Sequence, residues 1–189
     1  MTSIDKHSTS IHEAAHTLAC HLHGIPIESV SIEPEGQSAG RCRITDEAHD
    51  HLSAICQGIH YETEEERRYA DLEKNGRSEE AAELLLALEE RDRQHPDEDR
   101  RIVDAHVISW YAGPAATARY TGRSFLECLD DQQDDVSSLE CIWRWLQDDE
   151  RISQYQAEMQ QRAQEMIADP RHWYAIEVLA KVLDSHSMI

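Results

Sequence analysis

The sequence is poor in basic residues. Lys and Arg total 18 against 38 Asp and Glu, so the 189-residue chain carries a formal net charge of −20 at pH 7. A surface of that sign repels nucleic-acid phosphates and anionic lipid headgroups, which argues against both as partners. The chain also lacks the run of ~20 apolar residues that spans a bilayer, and its first residues lack the basic and apolar regions of a signal peptide. These absences predict a cytoplasmic protein.

Cysteine is the second scarcity. The five cysteines are odd in number and never stand in Cys-x-x-Cys spacing, so neither a disulfide framework nor a cysteine zinc knuckle is predicted. We interpret them as reduced thiols, most of them in the core. A hydrophobic content of 40% is enough for one ordinary core, and the expected organisation is a single domain over residues 1–189.

The most informative stretch that is present is His12-Glu13-Ala14-Ala15-His16. On a helix, the four-residue spacing brings both imidazoles to one face, about 6 Å apart along the axis, where one tetrahedral zinc ion can bridge them. Glu13 lies about 100° round the helix and is placed to contact a metal-bound water. The pattern therefore predicts half of a zinc peptidase site, with Glu13 as general base.

The surrounding residues predict the helix that this motif needs. Gly24 and Pro26 mark its end. Its start has two interpretations: a helix that begins near Ser3, which we prefer, or a capping box in which Ser10 begins the helix and occupies Glu13. A polar helix end with two incidental histidines is the alternative to a metal site. The helix would bury a stripe formed by Ile11, Ala14, Ala15, Leu18, Ala19 and Leu22.

The remaining pattern predicts a mainly α (α+β) fold with one small β-hairpin. Residues 27–32 alternate apolar with polar side chains, turn residues follow, and a second short strand is expected over 40–44. A charge-dense helical insert is expected at about 46–96, with a solvated face as the simpler interpretation and partner docking as the alternative. Asp169 is expected to cap a helix. Helices are predicted over 47–74, 78–94, 97–120, 131–146, 148–168 and 170–184.

A catalytic zinc ion that is held by two histidines and a water needs one more protein ligand. The sequence offers an acidic cluster, Asp130, Asp131, Asp134 and Asp135, just before an amphipathic helical run. Acidic residues at a helix start also serve as caps and favour the macrodipole, which is the alternative explanation. One cap does not require four aspartates, so the cluster is the expected source of the third ligand.

Four segments in this order resemble the peptidase domain of the FtsH-type ATP-dependent zinc metalloproteases. They are the His-Glu-Ala-Ala-His helix, a Val-Ser-Ile-Glu-Pro hairpin strand, an Ala-Gly-Pro-Ala-Ala segment and an Asp-Asp-Val-Ser-Ser-Leu helix start, at residues 11–16, 30–34, 112–116 and 134–139. The likeness covers about residues 9–45 and 102–146. It implies Asp135 as the third zinc ligand, with Asp131 as second choice. It also implies that the second hairpin strand pairs with an extended peptide substrate.

The chain departs from this family in several places. Ala15 stands where a Gly is usual, Thr117 where a Glu is usual, and Pro114 where a basic residue is usual. No nucleotide-binding Gly-x-x-x-x-Gly-Lys-Ser/Thr loop occurs, no membrane anchor precedes the domain, and the insert has no counterpart. The resemblance therefore implies a stand-alone peptidase without the ATPase module, in which processive degradation of folded proteins is not expected.

The predicted activity is that of a zinc metalloendopeptidase acting on a peptide or protein substrate. His12, His16 and Asp135 would hold Zn²⁺, and Glu13 would take the proton from the attacking water and pass it to the leaving amine. Two other functions stay open: a non-catalytic zinc-containing binding or regulatory protein, and a regulatory peptidase that cuts one partner. A homo-oligomer or a separate partner protein also stays open. Among the other histidines, we expect His23 to end the first helix and His106 to line the core.

Overall fold

The computed structural model describes residues 6–34, 39–57, 64–94, 98–131 and 149–189. Most of them are helical, and within these ranges the strands form one two-stranded antiparallel sheet. The mainly helical fold with a small hairpin that the sequence predicts is confirmed at this level. Within the same ranges, no helix combines the length and the apolar content that a membrane crossing requires.

The elements follow one another in a simple order. The two strands β1 and β2 come after the first helix, and helices make up the rest of the described chain. The helices are α1 Lys6–His23, α2 Asp46–Gln57, α3 Glu64–Lys74, α4 Ser78–Gln94, α5 Glu98–Thr121, α6 Phe125–Asp130, α7 Asp149–Ala168 and α8 Pro170–His186. The strands are β1 Ile27–Ser31 and β2 Arg41–Ile44.

Helix α1 carries the His-Glu-x-x-His motif in its middle. The helix is already formed at Lys6, and the Ser10 hydroxyl donates to the Asp184 carboxylate at 2.6 Å. A start before Ser10 is therefore confirmed, and the alternative with a capping box at Ser10 is wrong. The predicted start near Ser3 lies outside the described residues. At the other end, Gly24 follows His23 with a φ of +72°, a left-handed conformation that glycine adopts without steric cost and that commonly ends helices.

The hairpin gains a further partner from the end of the chain. In the β1–β2 ladder, Val30 lies opposite Cys42. On its other side β1 bonds the last residues, because the Val30 amide donates to the Ile189 carbonyl at 2.8 Å and the Ile189 amide donates back at 2.9 Å. Two residues further on, the Ile32 amide donates to the Ser187 carbonyl. These residues therefore cover one edge of β1, and β2 forms the opposite edge of the sheet.

Helix α5 lies at the centre of the packing. On one side it packs against α1, and on the other side it packs against α7, so it joins two hydrophobic clusters. The first cluster is built on α1, α5, α8 and β1, and it includes Ile11, Leu18, Val30, Ala112, Ile176 and Leu183. The second is built on α2, α5 and α7, and it includes Leu52, Val103, Val107, Tyr111, Tyr155 and Met159.

The charged insert agrees with the sequence where it is described. Helix α4 has the predicted bounds, and the chain turns at Asn75–Gly76, where Gly76 has a φ of +71°. The helix predicted over 47–74 is seen as α2 and α3, and residues 58–63 between them lie outside the described ranges. A groove of about 640 Å³ lies between α3 and α4. The residues that line this groove are in the insert, and none of them belongs to the His-Glu-x-x-His motif of α1.

The region after α5 departs from the prediction. Residues 125–130 form the short helix α6, which begins with a capping box between Ser124 and Glu127. The sequence predicts a helix start at Asp131, but Asp131 is the residue that ends α6. Residues 132–148 lie outside the described ranges. The prediction for Asp169 is confirmed, because its carboxylate accepts from the Arg171 amide at the start of α8.

Asp184 ties α8 to the helix that carries the motif. One carboxylate oxygen accepts from the Ser10 hydroxyl, and the other lies 2.6 Å from Nδ1 of His7. Burial raises the pKa of the Asp184 carboxyl, but the hydrogen bonds from Ser10 and His7 outweigh it, so the pKa lies below its usual value. Its contribution to stability is therefore present above the unfolded-state pKa of about 3.9 and is lost as the pH falls through the folded-state pKa.

We expect the substitution Asp184→Asn to lower the free energy of unfolding by about 1–2 kcal/mol at pH 7, because it weakens the acceptor of a buried hydroxyl. The difference from the parent protein should shrink as the pH falls below about 4, where the parent carboxyl itself becomes protonated. Urea unfolding at a series of pH values measures this. The control is Asp71→Asn, an exposed carboxylate on α3. A difference that is the same at pH 3 and pH 7 would contradict the assignment.

Candidate functional site

The two motif histidines converge on one point between α1 and α5. Their Nε2 atoms lie 2.9 Å apart, and the two rings meet edge to face with centroids 4.6 Å apart. Both side chains are buried, with His12 6% and His16 7% exposed. The i, i+4 spacing on a regular helix explains why the rings share a face, and burial explains why they stay there.

Helix α5 fixes the orientation of each ring through its other nitrogen. Nδ1 of His16 lies 2.6 Å from the Ser109 carbonyl oxygen, and Nδ1 of His12 lies 3.1 Å from the Thr117 hydroxyl. A carbonyl oxygen only accepts, so Nδ1 of His16 carries the proton and Nε2 of the neutral ring presents its lone pair. This is the arrangement by which proteins hold a metal-binding imidazole.

The pair suits a shared cation or a shared proton. Two lone pairs that face each other at 2.9 Å repel unless a positive centre lies with them. Nitrogen ligands of one tetrahedral zinc ion lie about 3.3 Å apart, given Zn–N distances of about 2.0–2.1 Å, so small ring rotations suffice. Alternatively, His12 donates its Nε2 proton to His16 and accepts from Thr117 instead. The residues therefore fit a metal, and they also form a satisfied hydrogen-bonded pair without one.

Gly113 lets α5 approach the two rings. A methyl group at this position would lie 2.6 Å from Nε2 of His12 and closer still to Nε2 of His16. Carbon atoms normally keep about 3.5–4.0 Å from non-bonded neighbours. Only glycine leaves room here for the imidazoles, so the Ala-Gly-x-Ala-Ala segment serves the ring pair directly.

Glu13 lies between α1 and the hairpin. Its side chain is 5% exposed, and a methyl group at Gly40 would lie 2.8 Å from its Cγ and its Oε1. The same methyl group would meet Thr9 at 2.8 Å. Gly40, the residue before β2, thus packs directly on the Glu13 side chain, so the predicted general base lies next to the beginning of this strand.

The backbone of β2 presents hydrogen-bonding groups to its outer edge. Val30 directs its amide and carbonyl towards Ile189 and away from β2. The opposed pair of Val30 and Cys42 is therefore the type that exchanges no hydrogen bonds, and the Cys42 amide and carbonyl point away from β1. Among the described residues no further strand pairs with this edge. The edge is suited to an added strand.

The third ligand is not located by the described residues. Asp135, the residue that the resemblance implies, and Asp134 lie in the undescribed range 132–148. Asp131, the alternative, is exposed, and its carboxylate lies 2.7 Å from the Arg123 guanidinium. Over the part of the chain that the structure describes, no three His, Cys, Asp or Glu side chains form a group able to hold a metal ion. His12 and His16 are thus brought together, and Asp131 does not join them.

The other titratable groups near the site have structural explanations. His106 is 3% exposed, and burial lowers its pKa to about 4, so the prediction that it lines the core is confirmed. Within the described ranges, its Nδ1 is the buried side-chain nitrogen or oxygen without a hydrogen-bond partner. His23 ends α1 as predicted. The Cys20 thiol and burial raise the pKa of Cys42, which keeps that thiol protonated.

Three contacts of the site were not predicted from the sequence. Thr117 stands where the FtsH-type pattern has a Glu, yet it is the side chain that meets His12. The contact of Gly113 with the rings is signalled by its segment, but its purpose is visible only in three dimensions. The contact of the Ser109 carbonyl has no signal in the sequence, because every residue has a backbone carbonyl.

Comparison with known proteins identifies no relative. No protein-family model matches the chain, and searches of curated proteins and of solved structures find no significant similarity. The resemblance of residues 9–45 and 102–146 to FtsH-type peptidases therefore stays a prediction.

Proposed function

We propose that this chain is a zinc-dependent metalloendopeptidase with a peptidase fold of the FtsH type. The observation that carries the proposal is the convergence of the His12 and His16 Nε2 atoms at 2.9 Å, with each ring held by α5. A solvated helix end with incidental histidines would leave such rings exposed and without matched anchors. Here both rings are buried, and a glycine makes room for them.

Each residue has a distinct role in this proposal. His12 and His16 would hold zinc through Nε2, and Asp135 would supply the third ligand. Bound there, zinc would supply Lewis-acid activation of water and of the scissile carbonyl. Glu13 would accept a proton from the attacking water and deliver it to the leaving amine. Thr117 and the Ser109 carbonyl keep the rings aligned, as outer partners of metal-bound histidines do.

The substrate would bind as an added strand on β2. The Cys42 amide and carbonyl would offer it two main-chain hydrogen bonds, and Gly40, just before the strand, contacts Glu13. An extended peptide on this edge would therefore pass beside the general base. This placement supports a peptidase over a purely structural zinc site, which needs no open strand beside its metal ligands.

Zinc titration of ligand variants tests the proposal. We expect the parent protein to bind one equivalent of zinc, and Asp135→Asn to weaken that binding by more than the about 10- to 100-fold that loss of an outer partner costs. Asp131→Asn is the matched control and should bind zinc as the parent does, because its carboxylate pairs with Arg123. A parent protein that binds no zinc, or unchanged affinity in Asp135→Asn, would refute the ligand set. Tight zinc binding without hydrolysis of any peptide would favour the non-catalytic alternative.

A further inference from the structure

The edge strand β2 carries two positively charged side chains, although most of the charged residues of the chain are acidic. Successive side chains of a strand point to opposite faces. Cys42 faces α1, where its sulfur accepts from the Thr17 hydroxyl at 3.7 Å. Arg41 and Arg43 therefore lie together on the opposite face, and both are exposed. Two guanidinium groups thus flank the backbone groups on which a peptide would pair, in a chain with 38 acidic and 18 basic residues.

We infer that Arg41 and Arg43 select peptides with acidic side chains on both sides of the residue that pairs with Cys42. This inference rests on the proposed peptidase function. The residues of an added strand that lie opposite the two arginines would occupy positions without hydrogen bonds, where facing Cα atoms are about 4.5 Å apart and side chains approach most closely. The two substrate residues beside the arginines are two positions apart, so they share one face of the added strand whichever way that strand runs.

Existing contacts of the two arginines do not prevent this recognition, because both side chains are exposed. Arg43 provides the example. Its guanidinium lies 3.9 Å from the Glu28 carboxylate, and the two side chains are 50% and 55% exposed. Exposed ion pairs of this kind are weak, so a closer carboxylate from a bound peptide can share the guanidinium. Arg43 would then bridge Glu28 on one strand and the substrate on the other.

Local attraction and overall charge act at different distances. A facing pair of opposite charge favours strand pairing by about 1.5- to 5-fold, so two pairs give about 2- to 30-fold discrimination between acidic and neutral peptides. The net charge of −20 slows the approach of an acidic peptide, but salt screens it beyond about 8 Å. The contacts with Arg41 and Arg43 lie within that distance, so selectivity should follow the arginines.

Alternating peptides test this selection without knowledge of the register. Three fluorescent peptides in which Thr alternates with Glu, Gln or Lys are compared for cleavage and, by fluorescence anisotropy, for binding to the same protein. The parent should prefer the Glu peptide to the Gln peptide by about 2- to 30-fold. The double variant R41E/R43E should prefer the Lys peptide. The milder Arg43→Gln should lose about half of the parent's preference for the Glu peptide, measured on a logarithmic scale. K74E/K181E, with two exposed lysines on α3 and α8 and the same change in net charge, should keep the preference of the parent.

The two readouts separate this inference from the proposed function. Preferential binding of the Glu peptide without any cleavage supports the role of the arginines and counts against the peptidase. Cleavage without preference between Glu and Lys peptides, or an unchanged preference in R41E/R43E, overturns the role of the arginines and leaves the peptidase standing. Loss of the preference in K74E/K181E would assign it to overall charge and also overturns the inference. If no peptide is bound and none is cleaved, both the role of the arginines and the proposed peptidase function are overturned.

Discussion

Replacing Glu13 by Gln is expected to abolish measurable peptide hydrolysis while zinc stays bound. The amide keeps the size and the buried position of the side chain but accepts no proton from water, and a positioned general base contributes about 10²- to 10⁴-fold to rate. His12 and His16 are unchanged, so their rings still meet at Nε2. The measurement is kcat/KM on a cleaved peptide together with zinc content for the same preparation.

The matched control for this substitution is Glu33→Gln, which makes the same chemical change at an exposed residue beyond β1. It should cleave as the parent does. Equal turnover by the parent and by Glu13→Gln would remove Glu13 from the reaction. Loss of zinc in Glu13→Gln would instead mean that the carboxylate binds the metal or is needed to shape its site.

Replacing Gly113 by Ala is expected to destabilise the protein and to expel the metal, although helix propensity alone predicts the opposite sign. Alanine within a helix gains about 0.8–1 kcal/mol over glycine. The new methyl group would lie 2.6 Å from Nε2 of His12 and closer to Nε2 of His16, and overpacking of a buried contact typically costs about 1–3 kcal/mol. Since both rings are held by α5 through their Nδ1 atoms, rotating away from the methyl group would break these contacts. Thermal unfolding and zinc affinity measured on the same samples decide between the two effects.

Gly40→Ala is the matched companion, because its methyl group would press on Glu13 and Thr9 and not on the histidines. It should keep zinc and slow turnover by up to about 10²-fold, as a displacement of about 1 Å at a reacting group does. Together the two variants separate effects on zinc affinity from effects on the general base Glu13. A more stable Gly113→Ala protein with normal zinc affinity would show that the rings and α5 are farther apart than the structure places them.

Local sequence signals predicted most of the helices, because caps and turns are properties of a few adjacent residues. Asp169 before Pro170 marked the start of α8, and α4 has its predicted bounds. The short helix α6 was missed although its capping box, Ser124 with Glu127, stands in the sequence. A helix of six residues has fewer than two turns, which is too short to show an apolar periodicity in the sequence.

The site was predictable only where its chemistry lies in side chains at fixed spacing. His12, Glu13 and His16 are four residues apart at most, so the helix alone brings them to neighbouring positions. Their anchors come from about a hundred residues away and depend on how α5 packs. The His16 anchor is a backbone carbonyl, and the His12 anchor is a threonine, Thr117, where the family pattern has an acid.

Because α5 both supports the two hydrophobic clusters and anchors the histidine rings, the proposed catalytic machinery would sit in the buried centre of the described structure. Sites on loops commonly open in local fluctuations well below the global free energy of unfolding, whereas any large rotation of these rings would break their hydrogen bonds to the central helix. Recognition would reside elsewhere, on β2, whose exposed arginines contribute little to either cluster. Substitutions there could redirect which peptides are cut without disturbing how they are cut, so an evolving lineage could diversify targets at almost no thermodynamic penalty.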